Sequence, residues 1–222
     1  MGRNGRNANG ANARTWLFDL DNTLHDADAH IFPSLGRAMR DYIGRSLNLD
    51  EAQAGELRMR YWKRYGATLL GLIRHHGVDP RDFLRQTHRF HDLANMVVAE
   101  RGLKAMLERL PGRKILFSNA PLDYMRKILA ITGISRCFDA IYSIERLHFL
   151  PKPAMQSFLR LLRNERLAAR SCIMVEDSLH NLRMAKRLGM TTVWVHPGTR
   201  KPPCADVRVA SVLDLPRRFR RI

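Results

Sequence analysis

The sequence predicts an α/β fold: a parallel sheet core with helices on both faces, interrupted by an inserted all-helical segment. Three observations carry that expectation. Short apolar runs recur along the chain, namely "TWLFDL", "KILFSN", "DAIYSI", "SCIMVED" and "TTVWVHP". Each has strand length and ends at turn-forming or polar residues. Helical patterns separate the later runs, and strands alternating with helices of this length form parallel sheets covered on both sides. Between the first and second runs, residues 30–98 hold no convincing strand but several helical stretches.

Taken in order, residues 1–14, "MGRNGRNANGANAR", are rich in Gly, Asn and Arg without periodicity and are expected to be a disordered tail. The first strand follows and runs straight into "DLD". In the helical segment, "GELRMRYWKRYGATLLGLIRHH" has helical character. "DPRDFLRQTHRF" then offers Asp79 as N-cap and Pro80 at the first helical position. After the second strand, "PLDYMRKILAITG" spaces Leu122, Met125, Ile128 and Leu129 along one face and stops at Gly133. "SLHNLRMAKRLGM" repeats the design, with Ser178 as the N-cap candidate and Gly189 closing the helix. The expected division is a core of residues 15–29 and 99–222 with the helical segment 30–98 inserted. No internal repeat is present.

Composition narrows the class. A 222-residue chain with 45% hydrophobic and 27% charged residues is ordinary for a water-soluble globular protein. The net charge of +17 is not ordinary. It comes mainly from arginine spread along the whole chain, which fits a genome-wide bias. It also fits a positive field that draws in phosphorylated substrates or nucleic acid. Cys137, Cys172 and Cys204 are far apart and lack metal-ligand spacing, so they read as reduced thiols, with Cys172 inside a strand. No apolar run approaches membrane-spanning length. The N-terminus has no apolar signal core, and Arg6 argues against myristoylation. The expected location is the cytoplasm.

The chemistry lies at the strand ends, because ligands of parallel sheets sit at the carboxyl edges of the strands. The first strand delivers Asp19 and Asp21, the second Ser118 and Asn119, and the fourth Glu176 and Asp177, while Lys152 in "LPKPAM" follows the third. Alone, each has an ordinary reading as a turn former, a helix cap or a solvated loop lysine. Together they make a cluster of carboxylates with one lysine. At about 4 Å and an effective dielectric near 20, each like-charged pair costs roughly 4 kcal/mol. Such a cluster calls for a cation, and hard oxygen donors suit Mg²⁺. Carboxylates, a lysine, a hydroxyl and a dication form a site for a phosphoryl group. Asp19 is placed to attack phosphorus, and Asp21 to protonate the leaving oxygen and later activate water. Mg²⁺ and Lys152 would neutralise the phosphoryl oxygens, with Ser118 and Asn119 donating hydrogen bonds.

"FDLDNTL", "FSNA", "LPKP" and "VEDSLHNLRMAKRLGM" resemble, in this order, the motifs of the haloacid dehalogenase-like hydrolase superfamily over roughly residues 15–196. The resemblance implies a Rossmann-like core, with Asp19 as nucleophile and Asp21 as acid/base offering its main-chain carbonyl to the metal. It implies phosphate binding by Ser118 and Lys152, and the acidic pair Glu176 and Asp177 at the metal, with Asp177 the direct ligand. The helical insertion would be the family's cap, closing over the site to exclude water. Dehalogenases in the superfamily generally lack the second Asp, because a halide leaves without a proton; this chain has Asp21, which favours a phosphatase.

The stretch "YWKRYGATLLGLIRHHGVDPRDF" resembles the cap of pyrimidine 5′-nucleotidases, through Tyr61, Trp62, Tyr65-Gly66, Gly71-Leu72, His75-His76 and Asp79-Pro80. The substrate implied is a pyrimidine nucleoside 5′-monophosphate, with Tyr61, Tyr65 and His75 as its cap contacts. Packing within the cap explains the same residues as well. His88 and His91 read as a chance pair on a helix rather than a metal site. Two other readings stay open. One is the same chemistry on a sugar phosphate or phosphoglycolate. The other is a basic nucleic-acid-binding protein on this scaffold, which no nucleic-acid motif supports.

Overall fold

The frame is a sheet of six parallel strands in the order β3-β2-β1-β4-β5-β6. The strands are β1 (Thr15–Phe18), β2 (Lys114–Phe117), β3 (Ala140–Tyr142), β4 (Cys172–Glu176), β5 (Thr191–Val195) and β6 (Val207–Val209). The computed structural model describes residues 14–219. Of the expected tail only Arg14 falls within them. The five apolar runs all become strands, and Cys172 opens β4 as a buried residue. The sixth strand was not expected. Its three residues, "VRV", form no apolar run, and it exists by pairing with β5 at the sheet edge.

Alternation along the strands explains why both faces need cover. Trp16 and Phe18 point to one side of the sheet, where they pack with residues of α6 (Leu103–Arg109) and α7 (Leu122–Ile131) and with Leu215 of α10 (Leu215–Arg218). Leu17 points to the other side, against α8 (Met155–Glu165) and α9 (Leu179–Arg187). A strand apolar on both sides cannot face water, so helices on both faces follow from its sequence. The end of α9 meets expectation, whereas its start does not. Ser178 occupies the N-cap position but makes no side-chain cap bond. Its own N–H instead donates to Glu176 Oε1 at 3.1 Å.

Between β1 and β2 lie α1 (Ile31–Leu47), α2 (Glu51–Tyr65), α3 (Thr68–His76), α4 (Pro80–Thr87) and α5 (Leu93–Met96). As expected, Asp79 caps α4 by accepting from the Arg81 N–H at 2.9 Å, with Pro80 opening the helix. The stretch 55–76 divides into two helices. Gly66 ends α2 at φ +78°, a left-handed conformation natural to glycine, and the chain turns back. The two helices meet closely: a Cβ on Gly71 would lie 2.2 Å from Tyr61 Cγ, so only glycine lets α3 approach α2 here.

This insertion has its own apolar cluster, which includes Tyr42, Ile43, Tyr61, Leu72 and Phe83. Ile144 and Phe149, from the loop that follows β3, join it. At the insertion's ends Ile31 and Leu93 pack instead with the sheet cluster. The outgoing and returning chains meet where the Asp26 N–H donates to the Val98 carbonyl at 2.8 Å. Among the described residues no helix is long and apolar enough to cross a membrane.

Candidate active site

Asp19 is the first residue beyond β1, and its N–H still follows the sheet pattern by donating to the Val175 carbonyl at 3.0 Å. Its side chain therefore emerges at the carboxyl edge of the sheet, between β2 and β4. Lys152 reaches it from the loop after β3. The ammonium is 1% exposed, and donates to Asp19 Oδ1 at 2.7 Å and to Glu176 Oε2 at 2.8 Å. Glu176 has further partners: Oε2 also accepts from Asn181 Nδ2 at 2.9 Å, and Oε1 from the Ser178 N–H. Asp177 is held through its main chain, the carbonyl accepting from Trp194 Nε1 at 2.8 Å.

Asp19, Glu176 and Asp177 each bring a carboxylate oxygen within 4.8 Å of the others. Burial and mutual repulsion push their pKa values upward. Asp19 rises to about 8, chiefly by burial and then by Glu176, with Lys152 opposing. Glu176 rises to about 7, again by burial first, with Lys152 opposing and Asp177 adding. Asp177 rises to about 6 through burial and Asp19. Burial alone would lower Lys152, but attraction to Asp19 and Glu176 outweighs it and holds the ammonium above its ordinary value. One ammonium among these carboxylates leaves net negative charge in a buried pocket. A divalent cation with hard oxygen preference fits that donor set, and Mg²⁺ is such an ion. Glu176 is the most engaged of the three by protein donors, and all three keep lone pairs that a cation could take.

Asp21 stands apart. Its carboxylate is not in the acidic cluster; Oδ1 accepts from the Tyr124 hydroxyl at 2.6 Å, and His25 Nε2 lies 3.0 Å from the same oxygen. The turn that places it rests on Asn22, at φ +58°, whose Oδ1 accepts from the N–H groups of Ala27 and Asp28 at 2.9 and 3.1 Å.

The phosphate-binding candidates divide. Ser118 is buried, and its Oγ accepts from the Ala120 N–H at 3.1 Å, which leaves the hydroxyl hydrogen to donate. The side chain of Asn119 is partly engaged. Its Oδ1 accepts from the Lys152 N–H at 2.7 Å and its Nδ2 donates to the Lys152 carbonyl at 3.0 Å. The amide thus clamps the lysine's own peptide groups and keeps its second N–H as a donor.

In the insertion, Tyr61 is 7% exposed and belongs to the apolar cluster there, its hydroxyl 2.7 Å from His76 Nε2. Tyr61 packs against Gly71 and is largely buried within the insertion, which leaves little of it for the expected substrate contact. Tyr65, the last residue of α2, and His75, in the last turn of α3, are 2.6 Å apart from hydroxyl to Nε2, with Arg64 and Arg74 within 5.4 and 5.2 Å of the Tyr65 ring. Trp62 is exposed. A Cβ on Gly66 would sit 2.8 Å from Pro153 Cδ and 3.4 Å from the Lys152 carbonyl, so the end of α2 rests on the lysine loop. His88 approaches the site as well, but not as a metal ligand. Its ring meets Tyr124 edge-on, Nδ1 lies 3.2 Å from the Leu84 carbonyl, and burial holds its pKa down at about 4. His91 is exposed.

Sequence reasoning missed Tyr124, His25, Asn181 and Trp194. Tyr124 and Asn181 share one signal: each is the third residue of a helix that leaves a site-bearing strand, α7 after β2 and α9 after β4. First-turn side chains of such helices point back over the strand end.

The family described as haloacid dehalogenase-like hydrolase matches residues 16–195. The chain belongs to this family. Phosphate metabolism protein 8 of Saccharomyces cerevisiae is 24% identical over 194 residues, which cover 80% of this chain and 60% of that protein. The chain thus spans less than two thirds of that relative's length. Among solved structures, a phosphatase of the family from Thermococcus onnurineus superposes with a TM-score of 0.64 at 23% identity, covering 93% of this chain and 97% of its own. An L-2-haloacid dehalogenase from Xanthobacter autotrophicus superposes with a TM-score of 0.61 at 16% identity, covering 95% and 99%. The fold is therefore common to hydrolases of both chemistries.

Proposed function

We propose that this hydrolase is a Mg²⁺-dependent phosphomonoesterase acting through an aspartyl-phosphate on Asp19, with pyrimidine nucleoside 5′-monophosphates as substrates. One observation carries the choice of phosphatase over dehalogenase. Asp21 is built into the site outside the acidic cluster, on a tyrosine and a histidine, where it can serve proton transfer. A halide leaves without a proton; an alkoxide does not.

In the first half-reaction Asp19 attacks phosphorus as the bond to the ester oxygen breaks, and that oxygen takes the proton of Asp21. In the second, water attacks phosphorus as Asp21 removes its proton, the Asp19–phosphorus bond breaks, and inorganic phosphate leaves. Lys152 balances charge on Asp19 and on the phosphoryl oxygens, held in place by Asn119. Ser118 donates to a phosphoryl oxygen. Asp19, Asp177 and the Asp21 carbonyl would hold Mg²⁺, which supplies charge neutralisation when bound.

Base selection is assigned to the insertion acting as a cap. Tyr65 and His75 are its candidates, since the adjoining Gly66 rests on the lysine loop. The spacing of the cysteines supports a cytoplasmic setting. Phosphate release should be measured from UMP, CMP, AMP, GMP, a sugar phosphate and phosphoglycolate, with Mg²⁺ and with chelator. The reading expects UMP and CMP to lead in kcat/KM and chelator to abolish turnover. Equal purine and pyrimidine rates, or a faster sugar phosphate, defeat the nucleotidase assignment; undiminished turnover in chelator defeats the metal.

A further inference from the structure

The grip on Asp21 has a direction. Both of its side-chain partners, the Tyr124 hydroxyl and His25 Nε2, meet Oδ1, so Oδ2 is left to carry a proton. His25 has no other polar contact among the described residues, its buried Nδ1 being without a partner. Tyr124 is 3% exposed, and burial together with the charge of Asp21 raises its pKa, so the phenol remains a donor.

Tyr124 also touches the insertion. The His88 ring meets it edge-on with centroids 5.7 Å apart, and Phe90 lies against it, also at 5.7 Å. His88 follows α4 directly, so the last turn of that helix and the chain beyond it back the tyrosine. Tyr124 itself belongs to the sheet-packed helix α7. It therefore lies between an element that belongs to the insertion and the carboxyl assigned to proton transfer.

We propose that Tyr124 is a positioning residue: its hydroxyl, with His25, fixes the Asp21 carboxyl so that Oδ2 is the oxygen presented to substrate, and His88 and Phe90 hold the tyrosine in register. The inference rests on the phosphatase reading. It makes the acid/base competent only while residues 88–90 are seated, so the position of the insertion is transmitted to proton transfer through one aromatic ring.

The test is Tyr124→Phe, which keeps the ring between His88, Phe90 and Asp21 and removes only the hydroxyl. The readout is kcat/KM, which reports the step that expels the leaving group, for 4-nitrophenyl phosphate and for the alkyl phosphate that the native chain turns over fastest. A nitrophenolate leaves without help, whereas an alkoxide needs a proton. The expected loss is about 10- to 100-fold for the alkyl ester and within about 3-fold for the aryl ester. In an Asp21→Asn background, adding Tyr124→Phe should change kcat/KM by less than about 2-fold, because the group it positions is already disabled. Phe90→Ala, which loosens the backing without touching Asp21, should show the same selectivity for the alkyl ester, and it carries the test if Tyr124→Phe does not fold. Equal losses for both esters, or losses that multiply with Asp21→Asn, overturn this inference while leaving the phosphatase reading intact. If the native chain releases phosphate from neither ester, the phosphatase reading fails and this inference with it.

Discussion

Lys152→Met removes the ammonium from between Asp19 and Glu176 while keeping a stem of similar length. Taking away one partner of a buried ion pair costs about 3–5 kcal/mol, because the other charge is left uncompensated. Here the ammonium bonds two buried carboxyls at once, at 2.7 and 2.8 Å. Without it they are held protonated, which at pH 7 costs each about 4 kcal/mol relative to its unfolded, ionised form, a cost that native Asp19 with its pKa of about 8 already bears. Both already have folded pKa values above their unfolded ones, about 8 against 3.8 for Asp19 and about 7 against 4.5 for Glu176. A raised carboxylate holds protons that the unfolded chain releases, so stability falls as pH rises through the interval between the two values. Losing Lys152 raises both further and widens that interval. The stability gap between variant and native protein should therefore be smallest at pH 5, where both carboxyls are protonated in either protein, and widen by about 1–2 kcal/mol by pH 8 in chelator. Mg²⁺ should recover part of it by supplying the missing positive charge. Urea unfolding at pH 5 and 8, with chelator and with Mg²⁺, measures all of this without any substrate. A gap that is the same at both pH values, or under about 1 kcal/mol at pH 8 in chelator, would refute the claim that the lysine neutralises these carboxylates.

Other perturbations read other parts of the site. Asp19→Asn should bring turnover to background while unfolding in chelator at pH 8 shows equal or greater stability, since a strained buried charge is gone; residual phosphatase activity rules out the covalent route. Gly66→Ala should lose about 1–2 kcal/mol from its φ of +78° and also depress kcat/KM, because the new methyl meets Pro153 beside Lys152. Gly77→Ala, at φ +62° with nothing within 4 Å, is its control: a similar loss of stability with activity retained. If the two behave alike, the contact between α2 and the lysine loop has no bearing on catalysis. Trp194→Phe deletes the bond to the Asp177 carbonyl, and the Mg²⁺ concentration for half-maximal activity should rise about 10-fold. An unchanged metal requirement would leave that bond with a packing role alone.

Much of this molecule is settled within short stretches of sequence. The strands were legible because a strand buried on both faces must be an unbroken apolar run, as in β1, β2, β4 and β5. The site was legible for a related reason. A parallel sheet gathers its strand ends at one edge, so polar residues at those ends meet however far apart they lie in the chain. Asp19, Ser118, Glu176 and Asp177 are that kind of residue, and Lys152 joins them from the loop after β3.

What the sequence left open was which bonding capacity of each side chain remains for a ligand, and this is decided by partners far along the chain. Asn119 looks free beside Ser118, yet its amide oxygen and one amide N–H are taken by a residue 33 positions away. Asp21 looks like a fourth member of the carboxylate cluster until Tyr124, 103 residues on, holds its side chain apart. Tyr61 looks exposed in a polar stretch, yet Gly71 lets α3 pack over it and leaves it 7% exposed. The strand β6 carries no apolar run because its existence depends on the edge of β5 and not on its own burial. Local pattern determined where the backbone goes and which charges share an edge. Only the tertiary structure determined which hydrogen bonds those groups had already spent, because a donor or acceptor can be satisfied by any residue that the fold brings within about 3 Å.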